Sequence, residues 1–135
     1  MSYVVKNFIN IIKHNGGLKG TFLKAFRTDD FKWGALIGED KFGNKYFQND
    51  YYFFGRSRWV EYSLQFGHDY DASQIPPEWH RWMSYITDDP PSTHPLPHRK
   101  WMAEYTDNPT GTKNEYVPYT TTRPKIEAWV PPNSK

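Results

Sequence analysis

Few residues in this chain have the type and spacing for chemistry. His68, Asp69 and Asp71 come nearest to a metal or acid/base cluster, but they stand in a polar stretch with no second spaced set of ligands. His80 falls on the polar side of a helical pattern, and His94 and His98 flank prolines. Gly34, Gly38 and Gly43 are not followed by the Gly-Lys-Ser/Thr of a phosphate loop, and they punctuate a hairpin pattern rather than a strand-to-helix turn. No nucleophile elbow or Ser/His/Asp order can be picked out. The chain has no cysteine, which excludes disulfides, thiolate catalysis and cysteine zinc sites. No catalytic, cofactor-binding or metal-ligating set is therefore expected. Arg56 and Arg58 beside an aromatic run suit stacking on single-stranded nucleic acid, but the segment that carries them is acidic, which argues against that use.

The elements that would position these residues centre on Phe31 to Tyr62, which holds 11 of the 25 aromatic residues. Residues 32–38 and 45–48 read as strands joined by a hairpin-type loop in which Gly43 and Asn44 suit positive φ. Tyr51 to Phe54 and Trp59 to Tyr62 are third and fourth candidate runs, the last two as possible partners. Pro76-Pro77 opens a helix in which Trp79, Trp82, Met83 and Ile86 share one face, a natural cover for so small a sheet. The fold expected is α+β: an antiparallel β-meander of three or four strands with a covering helix, an N-terminal amphipathic helix and a long extended C-terminal tail.

Charge divides the chain in three. Residues 1–28 carry five basic residues and no acid, residues 29–88 are net −4, and residues 89–135 are net +1. Residues 3–13 and 18–27 have helical apolar spacing, and the acid-free region should face something anionic, whether lipid, nucleic acid or an acidic protein surface. Nine of the 11 prolines lie between Pro90 and Pro132, interleaved with Leu96, Trp101, Met102, Tyr105, Tyr116, Val117, Tyr119, Ile126, Trp129 and Val130. Disordered chains are usually poor in such residues. The tail reads as a strap that places anchors along a partner, with a short helix capped at 121–124. No apolar run approaches the roughly 20 residues that span a bilayer.

Several stretches together resemble one family. They are GALIGEDKFGNKYF at 34–47, FFGRSRWVEY at 53–62, PPEWHRWMSYITDDPP at 76–91 and TGTKNEYVPYTTTRPKIEAWVPP at 110–132, with GLKG at 17–20 and FRTDD at 26–30. The resemblance is to accessory subunit A12 of the alpha subcomplex of mitochondrial NADH:ubiquinone oxidoreductase, respiratory complex I. A paralogous assembly factor shares the hairpin and the start of the Trp helix but diverges in the tail. The YVPYTTTR at 116–123 favours the subunit over that alternative.

The resemblance implies a non-catalytic subunit without cofactors, peripheral on the matrix side of the mitochondrial inner membrane. It would help assemble and hold the peripheral arm. The implied partners are core and accessory subunits of that arm, with inner-membrane lipid head groups as a further contact and no nucleic acid. Arg56, Arg58, Tyr116, Tyr119, Arg123 and Trp129 are the expected interface residues, and Trp33, Tyr46, Phe47, Trp59, Trp79 and Trp82 the expected core. The division expected is 1–28 as the basic helical region, 29–88 as the aromatic body and 89–135 as the docking tail.

Overall fold

The computed structural model describes residues 2–28, 30–122, 126 and 129. It is an α+β fold. Two N-terminal helices, α1 (Tyr3–His14) and α2 (Gly17–Arg27), precede strands β1 (Ala35–Glu39), β2 (Lys45–Gln48) and β3 (Arg58–Glu61), and helix α3 (Pro77–Met83) follows. The strands form an antiparallel sheet in the order β1-β2-β3. β2 pairs Tyr46 with Val60 and Phe47 with Trp59, so the alternating residues of the two strands divide between its faces. An irregularity at Ile37 shifts the β1 register between Leu36 and Gly38.

On one face Tyr46, Ile75, Trp79 and Trp82 make the buried core, with Ile37, Val60, Tyr62 and Met83 packed around it. The Tyr46 ring stacks on Trp79 at 3.9 Å and 3°, and Trp82 stands edge-on to both. Such aromatic pairs add to area burial, which is how so few residues hold a core. The stack needs a flat strand beneath it: a Cβ on Gly38 would meet the Trp79 ring at 2.8 Å. On the other face Phe47 stacks on Trp59 at 5.8 Å, and the His14 ring meets Phe47 edge-on at 5.0 Å. Trp33 and Trp59 are half-buried, Phe47 buried. The Trp33 indole N–H donates to Asn7 Oδ1, which ties α1 to the body.

The β1–β2 loop is built around Asn44, fully buried. Its Nδ2 donates to Asp40 Oδ2 at 2.9 Å and to Gln74 O at 3.0 Å, and its Oδ1 accepts from Ser63 N–H at 3.0 Å. Asp40 in turn accepts from the N–H groups of Phe42 and Asn44 and from the Tyr46 hydroxyl at 2.7 Å. Gly43 takes φ +81°, the conformation that lets the loop close. Burial, reinforced by the Asp40 carboxylate, raises the Tyr46 phenol far above its ordinary range. It therefore stays a neutral donor.

Two expectations are corrected. Tyr51 to Phe54 is not a strand, so the sheet has three strands and β3 pairs with β2 directly. Asn49 explains the difference: its Oδ1 accepts from Tyr51 N–H and its O from Tyr52 N–H, closing a turn, while its N–H pairs with Ser57 O at 2.8 Å. A 3-10 turn at Phe54–Arg56 completes the loop. Helix α3 is also shorter than its apolar pattern. It stops at Ser84, Tyr85 takes φ +58°, and Ile86, expected on the buried face, is exposed. Ile86 N–H bonds back to Arg81 O, as in a helix-terminating motif that usually places glycine where Tyr85 stands. The Tyr85 hydroxyl compensates by meeting Ser57 Oγ at 2.8 Å and accepting from Arg58 N–H at 3.1 Å.

Replacing Asn44 by alanine strands Gln74 O and Ser63 N–H in the core. Leaving buried groups unpaired costs about 1–3 kcal/mol each. Urea unfolding followed by tryptophan fluorescence should show Asn44→Ala destabilised by about 2–4 kcal/mol.

Candidate docking interface

The folded body ends near residue 88, and residues 89–122 contain turns but no helix or strand. Among the described residues, four hydrogen bonds hold the start of this segment to the body. Ser92 Oγ donates to Ile37 O at 3.2 Å, beside the outer edge of β1. The Tyr105 hydroxyl donates to Ser73 O, and its own carbonyl accepts from Lys41 Nζ at 3.2 Å. Asn108 N–H donates to Ser73 Oγ at 3.2 Å. Beyond Asn108 the hydrogen bonds of the described residues are all local, such as Gly111 N–H to Glu115 Oε2 at 2.9 Å.

The segment nonetheless displays large side chains. Trp101 is 82 % exposed, Tyr116 75 %, Tyr119 87 % and Trp129 79 %. Apolar rings at that exposure find no cover among the described residues. Tyr116 and Tyr119, together with Val117, form one such run. Arg123 and Pro124, half of the expected 121–124 cap, lie outside the described residues.

The two candidate arginines part company. Arg56 is mostly exposed and meets Asp30 Oδ2 at 3.1 Å, where Lys32 Nζ also sits at 2.9 Å. Burial pushes the Asp30 carboxyl up, and Lys32 and Arg56 more than offset it, holding it below the usual carboxylate range. Arg56 is thus on the surface with its charge already answered.

Arg58 is turned inward. Its guanidinium lies over the rings of Trp82 and Tyr85, at 4.8 and 4.5 Å. It donates to Trp82 O and Thr87 O, each at 2.8 Å, and to Asp88 Oδ1 at 2.5 Å. Its side chain is 5 % exposed. It staples the end of α3 to the start of β3 and has little surface to offer a partner. Its role was hidden in the sequence because Gly55-Arg56-Ser57-Arg58 looks like a solvated basic turn. The available signal was alternation: carrying the Trp59–Tyr62 run back one residue puts Arg58 on the face of Val60, which is the face that packs under the Trp helix.

His68, Asp69 and Asp71 do not converge on a site. Asp71 caps the short turn at Ala72–Gln74, accepting from Ser73 N–H at 3.2 Å. Among the described residues no group of three or more His, Cys, Asp or Glu is placed to hold a metal ion. A cleft of about 780 Å³ opens between α2 and β3, bordered by Leu23, Lys24, Arg27, Trp59, Val60 and Tyr62.

Comparison with known proteins decides the family. Residues 34–131 match the model for NADH ubiquinone oxidoreductase subunit NDUFA12. That span takes in the hairpin, β3, α3 and the exposed tail. The chain belongs to the NDUFA12 family. It is 44 % identical over 137 residues to the NADH dehydrogenase [ubiquinone] 1 alpha subcomplex subunit 12 of Bos taurus, covering 97 % of this chain and 94 % of that one. The Mus musculus protein of the same name matches to the same extent. The Caenorhabditis elegans protein named as the probable subunit 12 is 44 % identical over 128 residues, covering 94 % of this chain and 88 % of its own. As a family member the chain is grouped with subunits of respiratory complex I. Residues 89–131 of the tail lie inside the family match.

The geometry separates the two arginines experimentally. Arg58→Met leaves two carbonyls without their donor and should lower stability by about 2–3 kcal/mol, whereas Arg56→Met should stay within about 0.5 kcal/mol of wild type. Equal effects in denaturant unfolding would contradict the inward staple.

Proposed function

We propose that this chain is a non-catalytic accessory subunit of mitochondrial respiratory complex I that stabilises the matrix-side peripheral arm and helps assemble it. The body at 29–88 docks, the tail at 89–135 straps across neighbouring core and accessory subunits, and the basic region at 1–28 adds a further contact. The location follows as mitochondrial, on the matrix side of the inner membrane and peripheral to it. No helix of the described residues is long and apolar enough to cross a membrane.

One observation carries this reading. The chain buries its own small aromatic core, yet it sends out a segment whose rings stay exposed and whose hydrogen bonds to the body cease at Asn108. An extended segment with spaced aromatic anchors gains by burying them in a partner's grooves. Tyr116, Tyr119 and Trp129 supply the rings, and Arg123 a cation in the same run. Nucleic acid does not suit the surface, since Arg56 is paired with Asp30 and Arg58 is internal.

The test separates folding from attachment. The full chain carrying Tyr116→Ala, Tyr119→Ala and Trp129→Ala should unfold at the wild-type denaturant midpoint, because the body does not use these rings. Expressed in place of wild type, its share co-migrating with the assembled complex in complexome profiling should fall about tenfold, corresponding to roughly 1.4 kcal/mol. Undiminished incorporation would remove the strap. Wild-type protein found only with partly built intermediates would point instead to a transient assembly factor.

A further inference from the structure

Helix α2 is mounted inside out. A surface helix ordinarily turns its apolar stripe to the core and its charges to water. Here the polar residues face the body. Lys24 Nζ reaches Asn15 Oδ1 at 3.0 Å and forms an ion pair with Glu61. Arg27 donates to Ser63 O at 2.7 Å, Tyr62 O at 3.1 Å and Gly67 O at 3.2 Å, and its carbonyl accepts from the Tyr70 hydroxyl. The apolar side points away: Leu18, Phe22, Leu23 and Phe26 are all more than half exposed. Leu18, Phe22 and Phe26 follow one another at four-residue intervals and so form a single ridge. Phe22 and Phe26 already meet edge to face at 5.0 Å.

We infer that this ridge is a docking surface that inserts, as a helix in a groove, into an apolar groove with a carboxylate rim on a neighbouring protein subunit. Two arguments select that occupant. Anchors at helical spacing along one stripe are what a groove on a partner reads. The two N-terminal helices contribute no acid, their exposed cations are Lys6, Lys13 and Lys19, and Lys19 stands next to Leu18 on the ridge's own helix. A bilayer surface is the weaker match. Two of the region's five cations, Lys24 and Arg27, are spent on the body, and the three that remain fall short of the roughly four to eight that mark anionic-lipid recognition. The internal use of Lys24 and Arg27 also explains the mounting itself. They hold α2 by its polar side, so its apolar side must be covered by something else.

This inference rests on the proposed role as a complex subunit, and the experiment keeps the two apart. Full-length Phe22→Ser/Phe26→Ser and Lys19→Glu chains would each replace wild type, with incorporation into the assembled complex measured by quantitative complexome profiling. The purified full-length proteins would be tested in parallel by flotation with phosphatidylcholine vesicles with and without 20 % cardiolipin as the probe (about one lipid in five, a strongly anionic surface). The expected result is an incorporation loss of about tenfold for the double variant and about threefold for Lys19→Glu, without flotation. Lys19→Glu changes one exposed charge and keeps the test valid should the double variant fold poorly. Wild-type incorporation by both variants overturns the inference. So does flotation of wild type on cardiolipin vesicles that the double variant loses, which would assign the ridge to the bilayer. A wild-type chain that itself stays off the complex removes the subunit reading, and this one with it.

Discussion

The stack of Tyr46 on Trp79 is the contact on which the rest of the body depends. A three-stranded sheet with strands of four or five residues has too little face to stand alone. Tyr46 solves this from both ends of its side chain. Its ring holds α3 against the sheet, and its hydroxyl, kept protonated by burial, donates to Asp40 in the hairpin loop. Asp40 organises Asn44, and Asn44 reaches across to Gln74 and Ser63 on the segments flanking α3. Hairpin, cover helix and connecting loops are thus one cooperative unit. Arg58 closes the opposite end of α3 through Trp82 O and Thr87 O. A buried guanidinium is costly unless its donors are used; here two carbonyls and one carboxylate take its terminal nitrogens, and Nε–H is left without a partner.

Much of this was legible in the residues. The β1–β2 hairpin followed from Gly43-Asn44 between aromatic runs, and α3 from prolines ahead of a Trp79/Trp82 stripe. What escaped was decided by side chains bonding to backbone, which periodicity does not see. Tyr51 to Phe54 has strand composition, but Asn49 captures the N–H groups of Tyr51 and Tyr52 and turns the chain. Ile86 completes the apolar pattern of α3, but the Tyr85 hydroxyl is wanted at Ser57 and Arg58, so the helix ends first. The orientation of α2 was hidden for a related reason. Its pattern announces an amphipathic helix without saying which face packs, and the bonds of Lys24 and Arg27 to the body settle that.

The body and the tail solve different physical problems. The body gains its stability from rings packed on rings within one chain. Past Asn108, the described residues of the tail have hydrogen bonds only within their own turns and so contribute little to holding the body together. Ordering such a segment on a partner costs conformational entropy at the moment of binding. Its prolines reduce that cost by restricting the unbound chain beforehand. Frequent proline and frequent exposed aromatic residues are therefore two halves of one arrangement: the first lowers the entropy lost on docking, and the second supplies the area gained.

In the proposed mode of docking, attachment is spread over three regions for a physical reason. Each exposed patch is small: a ridge of three side chains on α2, and single rings spaced along the tail. A contact of that size binds weakly in isolation, because association first has to offset lost translational and rotational freedom. Carried on one folded body, the patches share that cost. Once one engages, the others act at a high effective concentration, and the linkage can raise avidity by about 10²–10⁴ without any further contact. That gain requires rigid spacing between the patches. The inward bonds of Lys24 and Arg27 provide it for α2, and the Ser92, Tyr105 and Asn108 pins provide it for the root of the tail. The basic residues at 1–28, which by composition advertise an external anionic partner, are in part structural. They convert a loose amphipathic helix into a mounted one, and it is the mounting that leaves its apolar ridge facing outward.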